Sequence, residues 1–148
     1  MRKALVAIDG SDVSRALIPY AFNYAIKEGL DSLDFIHVVP QLYFDPSGMP
    51  SNMELPKESA VGEQYKGIID EEREKGGAPD LKYDLIVCSG NPYEQIIKHA
   101  EKEHYAMIMI GHRGMSDLQR FFIGSVAAKV VRHAPCTVLV YQRPKEEA

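Results

Sequence analysis

The sequence predicts an α/β domain with a doubly wound, five-stranded parallel sheet and helices on both faces. Three observations carry that expectation. Short apolar runs alternate with stretches of helical periodicity, the pattern of repeated strand–helix–strand units. The runs are nearly all apolar, as strands covered on both faces require. The chain has 148 residues, 45% hydrophobic and 26% charged. Roughly 100–200 residues make one domain with one buried core, so residues 1–148 are read as a single domain.

Each element has its own local signal. Ala4–Ile8 reads as the first strand. Val13, Ala16, Leu17, Tyr20, Ala21, Tyr24 and Ala25 then recur at helical spacing, with Ser11 or Asp12 as N-cap and Gly29 just past the end. Pro19 falls inside this helix and predicts a kink, because an interior proline costs about 3 kcal/mol. Leu33–Val39 is the second strand, stopped by Pro40. Residues 41–56 hold three prolines and one glycine and read as a long irregular loop, the core of a variable 41–60 segment. An acidic helix follows over about 57–75 and ends at Gly76-Gly77-Ala78-Pro79. Lys82–Cys88 is the third strand. Asn91-Pro92-Tyr93-Glu94 supplies an N-cap, a proline at the first helical position and a glutamate at the third, opening a helix to about Glu103. Ala106–Ile110 is the fourth strand. Gly124-Ser125 opens a last helix to about His133, Pro135 blocks its continuation, and Thr137–Tyr141 is the fifth strand. The polar tail 142–148 is expected to fray. Right-handed crossovers make this a Rossmann-like domain.

Composition excludes several classes. Lys and Arg number 17 against 21 Asp and Glu, a net charge of −4. No dense basic run offers a footprint for nucleic acid. The longest apolar runs fall far short of the about twenty residues of a membrane span. Met1-Arg2-Lys3 leads directly into a strand, so a cytoplasmic location is expected. Cys88 and Cys136 form no CxxC pair and are expected as reduced, buried thiols with no chemical role. No set of His, Cys and carboxylates has metal-ligand spacing.

In an open parallel sheet, ligands bind outside the C-terminal strand ends. Those ends are Asp9-Gly10-Ser11, Val38-Val39-Pro40, Ser89-Gly90-Asn91-Pro92 and Gly111-His112-Arg113-Gly114. The last is the sharpest. Gly111 and Gly114 bracket two residues, nine more lead to Gly124, and Ser125 begins a helix. Glycines that turn with φ > 0 let main-chain N–H groups approach phosphate oxygens, and the helix start adds donors, a favourable dipole end and a hydroxyl. The plain alternative is that these are loop glycines. Asp9, a carboxylate at the switch point, suits a vicinal diol; alternatively it only caps the first helix. His112 either touches a phosphate or faces solvent, and Arg113 and Arg120 either neutralise phosphate or are surface arginines. His37 is expected as a hydrogen-bonded core imidazole, His133 as a complement to the last helix's dipole, and Asp70–Glu74 as a solvated helix face.

Gly111-x2-Gly114-x9-Gly124-Ser125, followed by the run Val126 to Val140, resembles the C-terminal signature of the universal stress protein family. Ala7-Ile8-Asp9-Gly10-Ser11 and Gly90-Asn91-Pro92 resemble its other landmarks, so the likeness spans the chain apart from 41–60. The resemblance implies the strand order 3-2-1-4-5, ATP as ligand, with or without Mg²⁺, and a homodimer. It also implies site roles. Asp9 meets the ribose hydroxyls within the strand-end run that includes Ile8 and Ser11, and Ala7 and Val38 flank the adenine. Gly111, Gly114, Gly124 and Ser125 cradle the phosphates, helped by the Arg113 and Val126 backbones.

The leading functional expectation is a stress-response binding module, in which an adenine nucleotide biases a conformation or the surface offered to a regulatory protein partner. The alternative is a slow ATP hydrolase or phosphoryl-transfer enzyme at the same site. That alternative lacks a GxxxxGK[ST] lysine and an evident water-positioning residue, and Ala7 stands where an aspartyl-phosphatase loop has its nucleophile. A phospho-receiver needs an aspartate where this chain has Cys88-Ser89-Gly90. A dinucleotide domain needs more glycines than Asp9-Gly10-Ser11-Asp12 holds. Thr137–Tyr141, apolar and expected at the sheet edge, predicts pairing across a twofold axis.

Overall fold

The computed structural model describes residues 1–39, 58–113 and 123–144. Their elements run β1 (Lys3–Ala7), α1 (Asp12–Glu28), β2 (Ser32–Val39), α2 (Glu58–Lys75), β3 (Lys82–Ser89), α3 (Pro92–Glu103), β4 (Met107–Gly111), α4 (Ser125–His133) and β5 (Thr137–Tyr141). All neighbouring strands pair in parallel in the order β3-β2-β1-β4-β5. The chain steps outward from β1 to β3, then returns to lay β4 on the other side of β1. Ala7 is therefore level with Ile36 on one side and Ile110 on the other, and the ends of β1 and β4 mark the topological switch point, where open α/β sheets bind ligands.

Alternate residues of a strand point to opposite faces, so a strand covered on both sides feeds two cores. Val6 and Ile8 join Leu17, Phe22, Phe35 and Ile69 beneath α1 and α2. Leu5 and Ala7 join Ile36, Val38, Ile96 and Val130 beneath α3 and α4. This is why β1 reads as apolar throughout. Pairing shifts β1 and β4 by one residue from the apolar runs, to Lys3–Ala7 and Met107–Gly111, and adds Ser32 to β2 and Ser89 to β3, while the Ile8 N–H still donates to the Ile36 carbonyl at 2.9 Å.

Local caps behave as their chemistry requires. Ser11 Oγ accepts from the Ser14 N–H at 3.1 Å to start α1, and Gly29, at φ 69°, ends it in the left-handed region. Pro19 lies inside α1, which is helical from Asp12 through Glu28. Asn91 Oδ1 accepts from the Glu94 N–H at the start of α3.

Two expectations need correction. The Asp70–Glu74 stretch is not simply a solvated face: Glu72 is buried and its carboxylate meets Arg15 Nε of α1 at 3.2 Å, while Asp70 accepts from the Tyr83 hydroxyl of β3 at 2.5 Å. Helix docking turns this part of α2 inward, and the acids are paired there. Cys88 and Cys136 are free thiols but only partly buried, because both lie at the margin of the α3/α4 core. Partial burial pushes both thiols up from their ordinary range, with Glu58 adding to the effect at Cys88. Residues 40–57, most of the 41–60 segment, lie outside the described residues, as do Gly114, Arg120 and 145–148. None of the described helices is long and apolar enough to cross a membrane.

Candidate functional site

Three chain segments meet at the switch point: the turn after β1, the end of β4, and the start of α4. The first holds Asp9 in a dense set of local bonds. Its backbone N–H donates to Ser14 Oγ at 2.7 Å, and its Oδ1 accepts from the Ser11 N–H at 2.8 Å. Asp9 is half-buried and does not cap α1; that role belongs to Ser11, so the capping alternative is corrected.

At the end of β4, Gly111 is buried, and a Cβ there would lie 2.8 Å from Val13 Cγ1. Its lack of a side chain lets α1 approach the strand end. The expected positive φ is not the reason: among described glycines only Gly29, Gly77 and Gly90 have it, and Gly124 stands at φ −64°. The next residue ties the site together. The His112 N–H donates to the Tyr141 carbonyl at 2.8 Å, and its carbonyl accepts from the Gly124 N–H. The start of α4 is thus roped to the end of β4. His112 is half-buried, and its Nδ1 is buried with no hydrogen-bond partner among the described residues. Arg113 is half-buried.

Gly124 is the N-cap of α4 and supplies no side-chain cap. The Ala128 N–H closes the first helical bond to the Gly124 carbonyl. Helix geometry therefore leaves the N–H groups of Ser125, Val126 and Ala127 without intrahelical acceptors, at the positive end of the dipole. At the start of α1 and of α3 a Ser or Asn side chain occupies one such donor. Ser125 is exposed.

Ala7 and Val38 are members of the α3/α4 core, and Val126 packs against that cluster. Ile8 is different. Its side chain enters the α1/α2 core, its N–H is spent on Ile36, and its carbonyl accepts from His37 Nδ1 at 2.9 Å. His37 is thus the hydrogen-bonded imidazole expected of it. Its ring lies against Tyr65 of α2, centroids 4.3 Å apart. Burial raises the Tyr65 hydroxyl above its ordinary pKa, and the nearby Asp9 charge adds to this. Ser14 and Tyr65 escaped the sequence reading. Ser14 had a signal, the Ser11-x-x-Ser14 spacing at a helix start; Tyr65 had none, since its neighbours depend on how α2 docks. His133 lies in the last turn of α4, where a positive charge complements the dipole, with its ring 6.0 Å from that of Tyr93. No group of three His, Cys, Asp or Glu able to hold a metal ion occurs among the described residues.

Fold and strand-end geometry together define an open α/β module that offers main-chain donors and a carboxylate at its topological switch point. Residues 1–142 match the profile of the Universal stress protein family. The chain belongs to that family. It is 33% identical over 152 residues to the universal stress protein MJ0531 of Methanocaldococcus jannaschii, covering 99% of this chain and 85% of that one. It is 30% identical over 144 residues to the universal stress protein YxiE of Bacillus subtilis, covering 93% and 97% respectively. Among solved structures, the universal stress protein UspA from Lactobacillus plantarum superposes with a TM-score of 0.73 at 22% identity, covering 95% of this chain and 97% of that one. A universal stress protein in complex with cAMP gives a TM-score of 0.64 at 20% identity, with 95% and 96% coverage. The Archaeoglobus fulgidus protein in complex with dAMP gives 0.64 at 19%, with 96% and 98% coverage.

Proposed function

We propose that this protein binds an adenine nucleotide, ATP by preference, in the crevice between β1 and β4, and that occupancy changes its conformation or the surface it presents to a regulatory partner during stress. One observation carries the reading: the start of α4 has no side-chain cap and is held by the Gly124–His112 bond at the end of β4. Free helix N-terminal donors favour phosphate. The cAMP and dAMP complexes of related folds add support. In this reading Asp9 takes the ribose hydroxyls with Ser11 bracing it, and the base lies against Ala7 and Val38. Gly124, Ser125 and Val126 line the phosphate end with Gly111 and Arg113. Gly114 completes the set on the motif alone. Any Mg²⁺ would ride on the phosphates, since the described residues hold no metal cluster of their own. The setting proposed is the cytoplasm.

Titration calorimetry with ATP, ADP and AMP tests this. ATP is expected to bind most tightly, and Gly124→Val, which puts a branched side chain where the phosphates lie, to abolish binding with an unchanged circular dichroism spectrum. ATP affinity retained in Gly124→Val would overturn the site.

A further inference from the structure

The Ile8–Asp9 peptide is held at both of its polar atoms by side chains from other elements. Its carbonyl accepts from His37 Nδ1 of β2 at 2.9 Å, and its N–H donates to Ser14 Oγ of α1 at 2.7 Å. A carbonyl only accepts, so Nδ1 carries the proton. Beyond that plane, the Asp9 carboxylate is oriented by the Ser11 N–H at 2.8 Å, and Ser11 is itself fixed by its Oγ bond to the Ser14 N–H. The outer face of His37 is covered by the Tyr65 ring at 4.3 Å. Three bonds thus converge on a single peptide and the carboxylate that follows it, and the Ser11–Ser14 bond and the Tyr65 ring contact brace the groups that make them. An isolated turn residue would not need a donor reaching across from β2. The arrangement leaves one plane and one side chain with little freedom.

We propose that His37 and Ser14 are the positioning residues of the nucleotide site: together they lock the Ile8–Asp9 peptide so that the Asp9 carboxylate is set for a ribose before the ligand arrives. The inference rests on the proposed nucleotide reading and adds to it the part of the ligand whose recognition depends on β2 and α1. A pre-set carboxylate loses little freedom on binding, so its effect falls on ligands with a ribose diol and not on bare polyphosphate. Tyr65 extends the same device to α2. Its ring backs the imidazole, so a displacement of α2 reaches the ribose contact through His37.

The experiment compares calorimetric affinities for ATP and for inorganic tripolyphosphate, which shares the phosphates and lacks the ribose. In the unmodified protein ATP is expected to bind more tightly, with the excess removed by Asp9→Ala. His37→Leu, which keeps the bulk and removes the donor, is expected to weaken ATP about tenfold with tripolyphosphate unchanged. His37→Asn, whose amide can place an N–H near the Nδ1 position, is expected to recover most of that loss. Ser14→Ala removes the acceptor at the other end of the plane and reads the same ratio should His37→Leu not fold. A merely structural histidine would lower both affinities together, or neither, and either result overturns the proposal. Failure of the unmodified protein to bind either ligand would sink the nucleotide reading itself. An ATP preference that depends on Asp9 but survives both His37→Leu and Ser14→Ala would sink only the positioning role.

Discussion

Asp34 shows how one residue can set a stability and a pH response. Its side chain is buried at the lower end of the α3/α4 face, where Oδ2 accepts from the Tyr105 hydroxyl at 2.6 Å and from Lys3 Nζ at 3.2 Å. Lys3 Nζ also lies 5.0 Å from the Tyr105 ring centroid. Tyr105→Phe deletes the neutral donor and leaves the carboxylate with the lysine alone, at a cost of about 1.5–3 kcal/mol. Burial, the bond to Asp34 and the charges of Asp34, Glu103 and Asp84 all push the Tyr105 hydroxyl above its ordinary value of 10.0. A pKa raised by folding means that the protonated phenol stabilises the fold below the unfolded value, and that this contribution is lost as pH climbs from about 10 toward the folded value. Tyr83, raised mainly by burial and by its bond to Asp70, has the same sign. Urea midpoints are therefore expected to fall as pH rises, first above about pH 8 through the raised Cys88 and Cys136 thiols and then more steeply above about pH 9.5 through the tyrosines. Tyr105→Phe should start lower at pH 7 and fall less; an equal alkaline decline would remove Tyr105 from the explanation. The sequence marked residues unevenly at this scale. Gly111 was legible as special, but its close approach to Val13 was not, because the 2.8 Å contact exists only after α1 has docked. Asp34, one charged residue within an apolar strand, gave no hint of its partners 31 positions upstream and 71 downstream.

Helix ends were the most legible elements, since capping is a contact among residues only a few positions apart. Ser11 and Asn91 were identifiable in advance and both bond as N-caps. Asn91→Ala is expected to cost about 1 kcal/mol and Asn91→Gly only a few tenths, read as a shift of the urea midpoint with unchanged slope. An unchanged midpoint in Asn91→Ala would mean the side-chain bond to Glu94 contributes nothing. Helix faces were less legible. The acidic run of α2 looks solvated in isolation, and only its docking on α1 and β3 shows why Glu72 points inward toward Arg15. The same limit applies to Tyr65, whose value lies in a contact with His37 from a strand almost thirty positions earlier in the chain.

At the scale of the whole molecule, alternation of strands and helices implied a parallel sheet but not the side of β1 on which β4 would lie; the family signature supplied the order. That order leaves two edges, and they differ in chemistry. β3 exposes Lys82 and Asp84 along its edge region, the kind of charge that discourages strand pairing. β5 exposes Thr137 and Val140, the latter 36% accessible, and the Tyr141 ring lies tilted against Tyr20 with centroids 4.9 Å apart. Val131, on the neighbouring α4, is 49% exposed. An apolar edge strand with unpaired main-chain groups is completed most simply by its own copy across a twofold axis, where each contact is made twice. We therefore propose a homodimer through β5, not through β3. Light scattering at micromolar concentration is expected to give twice the 16.6 kDa chain mass. Val140→Lys sets a charge on the apolar edge and is expected to shift the protein to monomer, whereas Asp84→Lys on β3 should leave the mass doubled. A monomer mass for the unmodified protein would refute the pairing, and dissociation by Asp84→Lys alone would move the interface to the opposite edge.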